Sequence, residues 1–189
     1  MIDEWLAPLY KLYDGGGYYY LQSGVPSEVT LLLHITIIGV FAVWVAYDRK
    51  DYVKKTLILL LADYIIFLIF STILFRSENA VAGCKLMPFW TYTEILNGKD
   101  HFAMEVILNI LVFIPIGFLA GCLWYGKDFK KVIGLGLAVS LVIELGQLVF
   151  EKGIAEIDDL IHNTFGCSIG YLMAIPIVWI YNLVKKKEE

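Results

Sequence analysis

The chain has 189 residues, of which 59% are hydrophobic and 18% charged, with a formal net charge of −4 and a mean hydropathy of +0.69. That balance excludes an ordinary soluble domain and reads as an integral membrane protein, a single compact domain with no room for a separate soluble one. The small net charge says nothing about nucleic acid, but the sequence has no basic stripe or recognition motif of the kind a nucleic-acid binder needs.

The first residues, MIDEWLAPLY, are acidic, and no small-residue cleavage site follows an apolar core. Membrane insertion is therefore expected to rest on spanning segments, without a signal peptide. Trp5, Leu9, Leu12 and Tyr13 recur at helical spacing, before Gly15-Gly16-Gly17 and Tyr18-Tyr19-Tyr20. Residues 1–27 are thus expected to form a short amphipathic helix and an aromatic belt in the outer interface. A lid over an external site is the sharper alternative.

Five apolar runs follow, near residues 28–47, 55–75, 102–125, 131–150 and 160–184. Each is close to the roughly 20 residues needed to cross about 30 Å of hydrocarbon. The predicted fold is all-α, a bundle of five transmembrane helices over 28–184 with a cytoplasmic tail at 185–189. Ten of the fifteen Lys/Arg lie in the first connection, the third connection and the C-terminus, which share one side of a five-span chain. Positive charge marks the cytoplasmic side, so the N-terminus is expected outside and the C-terminus inside a multi-pass cell-membrane protein.

The polar residues of the spans collect at the outer end. His101, Glu105 and Asn109 share one face of span three, and Ser140, Glu144, Gln147 and Glu151 share a stripe on span four. The stretch EIDDLIHNTFG, residues 156–166, opens span five, with Asp159, Asn163, Gly166 and Gly170 on one face. Arg76 closes span two at the same level. Intramembrane charge is expensive, so Glu144 should be paired, with Arg76 the nearest cation and Lys152 and His162 as competitors. Arg76, Asn109, Glu144, Gln147, Asp158, Asp159 and Asn163 are the candidate ligand-binding residues.

The structural alternative stands beside each of these. Asp158 and Asp159 suit a helix N-terminus. Asn163 and Gln147 could bond neighbouring helices, and Gly117/Gly121 and Gly166/Gly170 form small-xxx-small faces. Pro115 kinks span three and frees a carbonyl for an Asn or Gln. Cys84, Cys122 and Cys167 match no zinc spacing and form no disulfide framework.

Read in order, Arg76, Met87-Pro88-Phe89, the run Asn109–Phe118, Glu144-Leu145-Gly146-Gln147, and Ile157-Asp158-Asp159 through Asn163, Gly166 and Gly170 form a pattern. It resembles the VanZ-like family of small bacterial membrane proteins, over roughly residues 72–175. The resemblance implies a link to resistance against teicoplanin-type lipoglycopeptides, and it implies no cofactor and no catalytic residue. Two positions depart from the family pattern. Lys152 stands where Arg is frequent, which removes a bidentate fork, and Glu156 stands where another Asp is common.

Two functions follow. In the first, the outer polar constellation engages a lipid-linked cell-wall precursor or the antibiotic. In the second, a membrane enzyme acts on a polyprenyl- or phospholipid-linked substrate, with Glu144 as general acid or base and Asp159 as a further catalytic candidate. On that second reading Asp158, Asp159 and His162 could hold a divalent metal with phosphate; on the first, no metal is needed. A transporter fits less well, because no inverted repeat is visible and the polar groups do not thread the bilayer.

Overall fold

A computed structural model describes residues 51–74 and 83–188 of the chain. The N-terminal interfacial segment, the first predicted span and Arg76 lie outside the described residues. Helix α1 runs over Tyr52–Ile69 and continues through a π-helical turn, Phe70–Leu74. Strand β1 (Gly83–Lys85), the short helix α2 (Trp90–Leu96) and helix α3 (His101–Leu123) come next. Helix α4 (Phe129–Val149), strand β2 (Ile154–Glu156) and helix α5 (Ile157–Glu188) complete the order.

Four of these helices are long and apolar enough to cross a membrane: Tyr52–Ile73, His101–Leu123, Phe129–Val149 and Ile157–Val184. They correspond to predicted spans two to five. Helix α5 differs most from expectation. It starts at Ile157, directly from β2, and it continues through the lysines to Glu188. Lysine is a good helix former, and its charge suits the negative end of the helix dipole, so nothing stops the helix at residue 184.

The centre of the bundle is the contact between α3 and α5. Entering from the same end, the two run parallel, so Ile110 meets Gly166 and Ile114 meets Gly170 one turn further on. Small residues allow this. A Cβ on Gly117 would overlap the carbonyl oxygen of Cys167, and one on Gly170 would overlap that of Ile114. Without a strong hydrophobic force between helices in lipid, such backbone approach is a main source of association. Around it lie Phe113, Ile116, Ala120, Val132, Val139, Ile143 and Cys167, all buried.

Apolar side chains also cover the outside. Leu172, Met173, Ile177, Trp179 and Ile180 of α5 are exposed, as lipid-facing residues should be. Pro115 sits inside α3. Near it the Tyr64 hydroxyl donates to the Val112 carbonyl at 2.8 Å, one residue on from the Leu111 carbonyl that the proline frees.

The expected consequence is position-specific. Gly170→Ala should destabilise the bundle by about 1–3 kcal/mol, as overpacking does, whereas Gly134→Ala, where a Cβ meets nothing within 4 Å, should be tolerated. Thermal unfolding of both variants in detergent checks this.

Candidate functional site

The polar groups meet at one end of the bundle, where α1 and α4 end and α3 and α5 begin. They form a ladder of inter-element hydrogen bonds. The Asn109 amide on α3 donates to Asp159 on α5 at 2.7 Å. One turn along, the Asn163 amide donates to the Ser140 hydroxyl on α4 at 2.9 Å. Glu144, the next residue of the α4 stripe, accepts the backbone N–H of Glu156 at 2.8 Å. Gln147 reaches the carbonyl of Thr72 in the π-turn by a long contact of 3.5 Å. Five of the predicted residues, Asn109, Glu144, Gln147, Asp159 and Asn163, are thus drawn to one end of the bundle. Their partners are other parts of the protein.

Asp158 departs from expectation. Its side chain does not cap its own helix; fully buried, it accepts the backbone N–H groups of Phe89 at 2.5 Å and Thr91 at 3.0 Å. Those are among the unpaired donors of α2, whose first flanking residue, Phe89, supplies no side-chain cap. Asp158 therefore caps α2 from a distant part of the chain. Phe89 holds a left-handed conformation, φ 64°, that turns the segment into this contact. A second tie joins the same elements, since the Tyr92 hydroxyl and His162 Nε2 lie 3.0 Å apart.

The three side chains of the metal arrangement considered above turn to different partners. Asp158 faces α2, Asp159 faces Asn109 and His162 faces Tyr92. Among the described residues no three His, Cys, Asp or Glu side chains are grouped to hold one ion.

Strands β1 and β2 pair in parallel, Gly83 with Ile154, Cys84 with Ala155 and Lys85 with Glu156. Lys85 Nζ lies 3.8 Å from the Glu156 carboxylate and 3.2 Å from the centroid of the Trp90 ring. Burial raises the Glu156 pKa to about 7; Lys85 opposes that shift, while Glu105 and Asp158 add to it. Beneath this rim, His162 Nδ1 and Asn163 Oδ1 are buried with no hydrogen-bond partner among the described residues. Buried polar atoms are normally satisfied, so these mark unused bonding capacity.

The family model VanZ/LLP1 matches residues 56–181, which takes in the whole ladder and the α2 cap. The chain belongs to the VanZ/LLP1 family. "Protein VanZ" of Enterococcus faecium is 35% identical over 66 residues, 35% of this chain and 41% of that protein. The match thus spans about two fifths of that relative's length. No solved structure matches.

Lys85, Trp90 and Tyr92 carry much of the rim and escape a reading of sequence alone. The parallel pairing of two three-residue strands 71 positions apart (154 minus 83) leaves no periodicity to find. A tyrosine or tryptophan beside an apolar run has the ordinary reading of an interfacial anchor.

Two outcomes follow from this geometry. Asp158→Ala leaves two backbone donors of a buried segment without an acceptor, which should cost about 1–3 kcal/mol; limited proteolysis within residues 86–99 should speed up accordingly. For Glu156 the native state binds its proton more tightly than the unfolded chain does, so stability should fall as pH rises from about 4.5 to about 7. Unfolding temperatures measured across that window should slope less in Glu156→Gln than in the wild type.

Proposed function

We propose that this chain contributes to resistance against teicoplanin-type lipoglycopeptides. It would do so by engaging, at the outer leaflet of the cell membrane, the headgroup of a lipid-linked cell-wall precursor or the antibiotic itself. The family and the relative named VanZ supply the resistance context. The observation that carries the headgroup reading is the polar end itself. Three helices and β2 bring Asn109, Ser140, Glu144, Asp159 and Asn163 together. Among the described residues, His162 Nδ1 and Asn163 Oδ1 are buried without a hydrogen-bond partner.

In this reading the ladder holds the helices at the right spacing, and Asp158 fixes α2 as the roof of the site. The rim of Lys85, Trp90, Glu105 and Glu156 meets the headgroup, and Arg76, which lies outside the described residues, stays the sequence's further candidate. Outward orientation of this end follows from the excess of lysine and arginine on the opposite side. The enzyme reading has less support. Glu144, its proposed acid or base, holds a backbone N–H, and Asp159 holds Asn109.

Arg76→Ala and Asp159→Asn, each expressed at the wild-type level in a susceptible host, should reduce the tolerated teicoplanin concentration at least several-fold. Undiminished tolerance in both would remove the proposal.

A further inference from the structure

The ammonium of Lys85 stands over the face of Trp90 at 3.2 Å, with the centroid of Phe102 at 5.8 Å. Trp90 and Phe102 meet edge to face, 5.1 Å between centroids and 82° between planes, so the two rings form a corner. The Glu156 carboxylate lies 3.8 Å from Lys85 Nζ, and the charge of Glu105, on the same helix as Phe102, acts on Glu156. Aromatic faces attract an ammonium through their quadrupole, and a carboxylate beside them adds its charge when ionised. The corner is an ammonium box, built from α2, α3 and β2.

Its present occupant is partly exposed. The Lys85 side chain is 36% exposed, and 3.8 Å to Glu156 is beyond a direct hydrogen bond. A partly solvated pair of this kind contributes little. The rings, by contrast, are fixed by the packing of α2 on α3 and by Asp158 at the start of α2.

We propose that the Trp90–Phe102–Glu156 box is an ammonium subsite for an amine-bearing headgroup, filled by Lys85 in the free protein and surrendered to the ligand's amine on binding. This rests on the reading of this end of the bundle as a headgroup site, and it adds the charge class of the ligand. An anionic group is the poorer fit here. Among the described residues, the charges of Glu105, Glu156 and Asp158 act together here, and Lys85 is the ammonium the box already engages.

The test is native mass spectrometry of the full chain released from micelles holding equal amounts of phosphatidylethanolamine and phosphatidylglycerol. A second arm uses phosphoethanolamine and glycerol phosphate as soluble competitors, which separates a lipid headgroup from a free amine. The wild type should retain the amine lipid in preference. Lys85→Ala, which empties the box, should raise that preference roughly three- to ten-fold, and Trp90→Leu and Glu105→Gln should lower it by a similar factor. Glu105→Gln is nearly isosteric, so it carries the result if Trp90→Leu fails to fold. Lipid retained with the same headgroup ratio in all four proteins overturns the ammonium box and leaves the headgroup reading standing. No lipid retained by any of them, with no effect of phosphoethanolamine, also overturns the box, while the headgroup reading is decided by the tolerance of Arg76→Ala and Asp159→Asn.

Discussion

The contact between α3 and α5 sets the position of everything else. Gly117, Gly166 and Gly170 let the two backbones touch, so that carbonyl groups, not side chains, fill the seam. At that distance Asn109 and Asp159 can share a hydrogen bond of 2.7 Å with no bridging group. Any side chain in the seam would part the helices and break the ladder above it. Close packing of small residues is thus the precondition for the polar end as well as the source of association in lipid.

The polar end itself has a division of labour. Deeper groups are spent on the protein: Asn109 and Asp159 tie α3 to α5, Ser140 and Asn163 tie α4 to α5, and Glu144 ties α4 to β2. In a medium without water each of these groups needs a partner, and finding it on another helix fixes the bundle's geometry. Asp158 extends the same logic outward by giving α2 the acceptors its own sequence lacks. Groups at the rim are partly exposed, Lys85 more than Glu156.

Much of this was legible in the residues. Hydropathy located the four described spans to within a few residues, because a run of about 20 apolar residues has few other uses. The i, i+4 spacing of Ser140 with Glu144 and of Asp159 with Asn163 put each pair on one face, and those faces do meet. The Gly166/Gly170 stripe likewise faces α3. What stayed hidden was direction. Asp158 and Asp159 are neighbours at a helix start, and both suit a cap, yet one turns to α2 and the other to Asn109. Nothing local distinguishes them, because the α2 donors arrive from 67 and 69 residues away.

By itself the sequence determined the medium, the number and length of the described spans and the end at which polar residues gather. Each of these depends on composition and short-range periodicity, which a single helix carries within itself. Only the tertiary structure decided which acid meets which donor, that β1 and β2 pair, and that Lys85 rests between Trp90, Phe102 and Glu156. Those outcomes depend on how close the helices come and how the connections return between them, and both are properties of the packed chain.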